Sequence, residues 1–335
     1  MICLVRLLLP QHYEMIENKE SIAVIKAGSN SIRMLIAEKS DSCSYLRELY
    51  RKSAITRISE DFNAGTRETL KPLPVERSVR VLGEFFDIAK TFGAVNPFIV
   101  ATGVIRQALN RGDFVSLVSR KFGKDIRIIS GEEEAYFTCK GVLSSLNRDG
   151  TPLVIFDVGG GSTEFVLVKN GEEEAASLNI GAVVLTQGYL YDDPPSNGQI
   201  NALFKHIEGV LNADLYNFTK IENEKFHIIG VGGSVFTIAN MIKAMKEGVF
   251  FDKDKGLTKI RKAEIEAVFG KIRIVPALKR LTFKGIERGR EDTILAGMAI
   301  AVKILEYFVK NEMAVSYSDI LEGMLVKQCE GEKNE

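Results

Sequence analysis

Asp157-Val158-Gly159-Gly160-Gly161-Ser162-Thr163-Glu164 places two carboxylates, three glycines and a hydroxyl within eight residues. Glycine amides carry no Cβ and can approach an anion closely, and a carboxylate at a strand end can hold Mg²⁺ through oxygen. The stretch therefore reads as a cradle for phosphate and a metal, the alternative being a plain glycine hairpin in an α/β core. A further glycine turn, Gly230-Val231-Gly232-Gly233-Ser234, follows the apolar run 226–229 and precedes a helix starting near Val235. A helix N-terminus after glycines suits another phosphate or a nucleotide base, which makes Gly232, Gly233 and Ser234 binding candidates. Glu132-Glu133-Glu134-Ala135 opens a helix reaching roughly Leu143, where acidic residues often only complement the helix dipole.

The elements that must position these groups are legible around them. Residues 153–156 and 165–168 are apolar strands flanking the first turn, so the glycines form a hairpin. The same design occurs earlier without a gap, because residues 25–33 align with residues 156–164 and put Lys26 in the register of Asp157. Two strand-turn-strand units of one design imply an internal duplication and two related α/β domains facing each other across a cleft. Between them the pattern gives a polar connection over 51–71, a helix over 75–91 and a buried strand over 97–103. A helix over 104–110 carrying Arg106 and a short strand over 126–131 follow. Beyond the second hairpin, 199–211 and 290–309 read as helices, 252–256 as a solvated loop, and 326 onward as a polar tail.

Composition bounds the class. At 335 residues, with 45% hydrophobic and 26% charged side chains, the chain suits about two globular domains. Lys+Arg and Asp+Glu are equal at 44 each, so no global charge favours a nucleic acid polymer or a membrane surface. Cys3, Cys43, Cys139 and Cys329 lack metal-ligand spacing and fit free thiols in a reducing cytoplasm. The apolar run at residues 1–10 is too short to span a bilayer and reads as a surface extension, with Met15 as an alternative start. No Gly-x-x-x-x-Gly-Lys-Ser/Thr run exists, which disfavours a P-loop NTPase.

Taken together, six ordered segments resemble the exopolyphosphatase and guanosine pentaphosphate phosphatase family, a branch of the actin-like, sugar-kinase and heat-shock ATPase superfold. They are residues 26–33, 101–110, 129–135, 157–164, 177–186 and 230–234, and the resemblance spans roughly residues 21 to 325. It implies an α/β fold of two duplicated ribonuclease H-like (actin-like ATPase) domains facing each other across a cleft that opens and closes on ligand. The expected division is 1–15 extension, 16–133 first domain, 134–315 second domain and 316–335 C-terminal segment and tail. The implied activity is release of the terminal phosphate from inorganic polyphosphate or guanosine pentaphosphate, in the cytoplasm, and a homodimer is compatible with it.

Carried over by position, the resemblance implies that Glu134 is the general base activating a water, with Glu133 as the neighbouring candidate. Asp157 and Glu164 would hold Mg²⁺, directly or through water. Gly159, Gly160, Gly161 and Ser162 would donate to the terminal phosphate, and Ser29, Asn30 and Ser31 would grip it from the opposite domain. Arg106 is the charge-neutralising fork, because a guanidinium matches two phosphate oxygens at once. Arg33, in mid-strand, is a candidate structural residue.

The chain departs from the family at three positions expected near the cleft. Lys26 stands where the family has a metal-binding aspartate, and Val184 and Leu321 stand where it usually has arginine. Two consequences stay open: the Lys26 ammonium neutralises phosphate in place of part of the metal charge, or hydrolysis is weakened and a polyphosphate- or nucleotide-binding regulator remains. An ATP-dependent small-molecule kinase is a third reading of the paired hairpins. A polyphosphate chain would also need cations leading away from the cleft, for which Lys253, Lys255, Lys259, Arg261, Lys262, Lys279, Arg280 and Lys284 are candidates.

Overall fold

The computed structural model describes residues 20–38, 47–62, 68–221, 225–250 and 256–331. The expected N-terminal extension, Cys3, Cys43, Lys253 and Lys255 lie outside them. The hydrophobic runs of both hairpins form strands: β1 (Ser21–Ala27) pairs antiparallel with β2 (Ser31–Glu38), and β2 with β3 (Glu48–Ile55). The polar connection expected over 51–71 therefore begins as a strand. Its residues are mostly half-buried, as an edge strand with one wet face allows, and that weakens the apolar signal. β4 (Phe98–Ala101) lies parallel to β1, and β5 (Arg127–Ile128) parallel to β4, giving the sheet order β3-β2-β1-β4-β5.

The second sheet repeats this plan. β6 (Leu153–Val158), β7 (Thr163–Lys169) and β8 (Glu172–Leu178) form the antiparallel meander, and β9 (His227–Val231) lies parallel to β6. β11 (Glu312–Val315) lies parallel to β9, and β10 (Thr258–Arg261) adds an antiparallel edge. The order β10-β11-β9-β6-β7-β8 thus contains the first sheet's connectivity, so the duplication seen in the hairpins extends to whole sheets.

Helices cover both faces. α1 (Pro72–Thr91) buries Val79, Leu82 and Phe85 against the first sheet and has proline at its start, where no backbone donor is lost. The helix expected over 104–110 is only the turn α2 (Val104–Gln107), followed by α3 (Arg111–Phe122), which buries Phe114 and Val118 and closes at Gly123 in the left-handed region. α4 (Gly131–Ser144) starts at a capping box and packs on β7 and β8. In the second half come α5 (Ala182–Tyr189), α6 (Asn197–Asp214), α7 (Gly232–Glu247), α8 (Lys262–Ile272) and α9 (Ala277–Arg280). The apolar α10 (Ile294–Tyr307) runs through the second core, starting four residues later than its sequence pattern suggests.

The tail expected from Val326 is instead the last part of a helix, α11 (Ile320–Gly331). It returns to the first sheet, burying Leu321, Met324 and Leu325 with Val24 and Leu35, and crosses α4. Two glycines make that crossing possible: a Cβ on Gly141 would overlap the Asp319 carbonyl, and one on Gly323 the Phe137 carbonyl. Leu321 is accordingly a core residue of the first domain rather than a cleft residue. The charges that follow Val326 make those last turns of α11 read as solvated. Cys139 is a buried free thiol, whereas Cys329 is disulfide-bonded, contrary to the expectation of free thiols. Pairing depends on spatial approach, which sequence spacing does not report. No helix among the described residues is long and apolar enough to cross a membrane.

Candidate phosphate-binding cleft

The two hairpin turns have the same local chemistry. Gly28 N–H donates to the Ser31 carbonyl and Gly159 N–H to the Ser162 carbonyl, each at 3.0 Å. The turns also meet. A Cβ on Gly160 would press on the Ser29 side chain and Val183, and one on Gly161 would press on Ser29 Oγ and the α2 backbone at Gly103–Val104. A side chain at 160 or 161 would force Ser29 or the turns themselves to shift, so glycine at both keeps the two turns close. A narrow cleft of about 50 Å³ remains between them, lined from both sides by Lys26, Ser29, Asn30, Glu134, Asp157 and Gly159–Gly161, among others.

Each wall is fixed from behind. Val104 N–H donates to Ser29 Oγ at 3.0 Å, which leaves the Ser29 hydroxyl proton free to point elsewhere. The Asn30 carbonyl accepts from Thr56 and Arg57, while Asn30 Oδ1 is buried without a hydrogen-bond partner. On the opposite wall, the carbonyls of Gly159 and Gly160 accept from Ala182, Val183 and Val184, so the segment around α5 clamps the second turn. Ser31, Ser162, Gly233 and Ser234 also line the cleft. Gly232 stands just behind it at φ +89°, where a Cβ would overlap the Asp157 carboxylate.

The charged groups separate into partners. Lys26 Nζ lies 2.8 Å from Glu134 and 3.7 Å from Asp157 Oδ2, all three carboxylate and ammonium groups being nearly inaccessible. Arg106 Nη1 donates to Glu134 at 2.9 Å, and its Nη2 lies 3.4 Å from Ser162 Oγ and 3.6 Å from Glu164. Burial works to raise the Glu134 pKa, but Lys26 and Arg106 outweigh it and hold the carboxyl below its usual range. Glu164 is less well compensated, with only the more distant Arg106 Nη2 in ion-pair reach among the described residues. Burial, then the negative charges of Glu134 and Asp157, push it up to about 8, and Ser162 and Ser177 donate to its Oε1 at 2.6 and 2.9 Å.

The neighbouring glutamates part company at the helix start. Glu133 accepts from Ser130 N–H in the capping box and pairs with Arg127, so its carboxylate is spent on holding α4 outside the cleft. Glu134 is the member of the pair that the cleft contains. The mid-strand Arg33 has both characters: it is paired with the buried Asp319 and lines the cleft. Sequence reasoning missed Arg290, whose guanidinium packs on Gly233 and lines the same cleft. Its signal was its place just ahead of the apolar helix, but nothing local tells where that helix points. Of the cations proposed to lead outward, Lys259 pairs with Glu312, Lys262 with Glu266 and Glu306, and Arg280 is buried against backbone carbonyls. Those three serve structural and surface pairs instead. A larger groove of about 1860 Å³ opens beside Arg106, with Val184, Tyr189 and His206 on one wall and Arg111 and Val115 on the other.

The residues do not fit a resident Mg²⁺. Asp157 Oδ2 and Glu164 Oε2 are buried without hydrogen-bond partners, as a cation site would offer. Yet the Lys26 ammonium already faces Glu134 and Asp157, and a cation cannot ligate a metal. Among the described residues, no group of three or more acidic, histidine or cysteine side chains is arranged to hold a metal ion.

Comparison with known proteins gives consistent matches. The profile of the Ppx/GppA phosphatase family covers residues 35–332. The chain is 31% identical over 318 residues to a bifunctional 3-dehydroquinate synthase/phosphatase of Fusobacterium nucleatum, covering 92% of this chain but only 46% of that protein. It is 26% identical over 315 residues to exopolyphosphatase 2 of Mycobacterium tuberculosis, covering 90% and 97% of the two chains. Among solved structures, the Aquifex aeolicus Ppx/GppA family member superposes with a TM-score of 0.74 at 29% identity, covering 94% of this chain and 99% of that one.

Proposed function

Because the chain belongs to the Ppx/GppA phosphatase family, we propose that it is a phosphohydrolase that removes the terminal phosphate from inorganic polyphosphate or guanosine pentaphosphate. The observation that carries this reading is the meeting of the two glycine turns, one from each duplicated sheet, around a single cleft that holds Glu134 and adjoins Arg106. Phosphoryl transfer needs little covalent chemistry from a protein, and it depends on positioning and on charge stabilisation. The glycine amides and the hydroxyls of Ser29, Ser31 and Ser162 would bind the terminal phosphoryl oxygens. The rest of the substrate would leave past Arg106 into the larger groove.

Glu134 would be the base that orients the attacking water. Its two cationic partners, Lys26 and Arg106, are the groups a phosphate dianion would attract. As phosphate comes to share these two cations, their hold on the carboxylate weakens, and its proton affinity rises towards the range useful for a base. A second reading, a binding regulator without turnover, is favoured by one observation: without substrate, both Glu134 oxygens are engaged by cations. Phosphate release from long-chain polyphosphate and from guanosine pentaphosphate, compared for wild type and Glu134→Ala, separates the two. Hydrolysis predicts release that the substitution lowers about 10²–10⁴-fold. Tight binding of either substrate with no release would establish the regulator instead.

A further inference from the structure

The duplicated hairpins differ most at one pair of equivalent positions. In the first hairpin, Lys26 on β1 stands opposite Arg33 on β2; in the second, Asp157 on β6 stands opposite Glu164 on β7. Two cations from one domain thus face two acids from the other across the same cleft. Lys26 is only 7% exposed and is anchored on a central strand between β2 and β4. Its ammonium lines the cleft. It lies 2.8 Å from Glu134 and 3.7 Å from Asp157 Oδ2, and the latter oxygen has no hydrogen-bond partner.

We propose that Lys26 is the resident cation of this site: its ammonium supplies, to a phosphate seated between the two glycine turns, the positive charge that a divalent ion would otherwise bring, so that anion binding in the cleft needs no metal. An ammonium carries one charge where such an ion carries two. The remainder is at hand in Arg106 and in Arg33 and Arg290, which line the same cleft. Lysine also presents three donors, so Glu134, Asp157 and a phosphate oxygen can be served by one group. The proposal rests on the cleft being a phosphate site and does not require turnover.

The test uses the full chain stripped with EDTA and inorganic phosphate as the probe, titrated calorimetrically with EDTA and with Mg²⁺, alongside Mn²⁺ binding followed by electron paramagnetic resonance. Wild type is expected to bind phosphate with the same affinity in both conditions, within about twofold, and to hold no stoichiometric Mn²⁺. Lys26→Met is expected to weaken phosphate binding about tenfold or more, the worth of one charged hydrogen bond. Lys26→Asp is expected to acquire a Mn²⁺ site and to bind phosphate only with metal. Stoichiometric Mn²⁺ on the wild type, phosphate binding that EDTA abolishes, or no phosphate binding in either condition would each overturn the proposal. The wild-type measurements decide it even if a variant fails to fold. Phosphate binding indifferent to EDTA, combined with no release from either substrate, would sink the hydrolase reading and leave this one standing. Release that strictly requires a divalent ion bound to the wild type would do the reverse.

Discussion

Glu164→Gln should change how the stability of the protein depends on pH. Glu164 is 1% exposed on β7, directly across from Asp157, and burial together with the Glu134 and Asp157 charges raises its pKa from the usual 4.5 to about 8. The folded state therefore keeps a proton that the unfolded chain releases near pH 4.5. Stability from this group is fully present below that value and is lost as pH rises through about 8. A displacement of this size corresponds to about 3–6 kcal/mol across the window. Glutamine can still accept from Ser162 and Ser177 but does not titrate. Urea unfolding of both proteins from pH 5 to pH 9 should show wild type losing most of that amount relative to Glu164→Gln. Parallel stability profiles for the two would refute the assignment of a protonated Glu164 to the folded state.

Further outcomes follow from the packing and charge pairs. Glu134→Gln should lower phosphate release about 10²–10⁴-fold, whereas Glu133→Ala should leave the rate near wild type and cost about 1 kcal/mol by removing the α4 capping box, read by thermal melting. Arg106→Lys keeps the charge but loses the fork that joins Glu134 to Ser162, and should raise KM for polyphosphate about tenfold or more in steady-state assays. Gly323→Ala should destabilise by about 2–3 kcal/mol or more in denaturant titration, because the added methyl has only the Phe137 backbone to occupy. Asp319→Ala leaves the half-buried Arg33 without its partner and empties a buried site, and should cost about 2–4 kcal/mol by the same measurement, loosening α11 from the first sheet.

Residues 25–33 and 156–164 announced two hairpins, their kinship and their glycine turns without any structure, because β-periodicity, glycine freedom and internal repetition are written in neighbouring residues. From that came the two-domain α/β architecture and the prospect of a shared anion site. The same local logic failed where the signal was two-sided or masked by charge: most of β3 reads as a polar connection, and the last turns of α11 as a tail. Glu134 was singled out over Glu133 only by its place in the family's motif. The physical difference between them, the cap and Arg127 on one side and Lys26 and Arg106 on the other, lies in the fold.

Tertiary structure alone decided the charge states and the company of the cleft. It brought Arg290 to a turn more than fifty residues earlier in sequence, withdrew Leu321 into a core, and set Lys26 between carboxylates from the other domain. Burial and Coulombic interaction depend on distances between groups far apart along the chain, and a residue's neighbours in sequence carry no record of those distances. Sequence supplied the donors and acceptors; folding determined which of them face one another, and so which carboxyl keeps its proton.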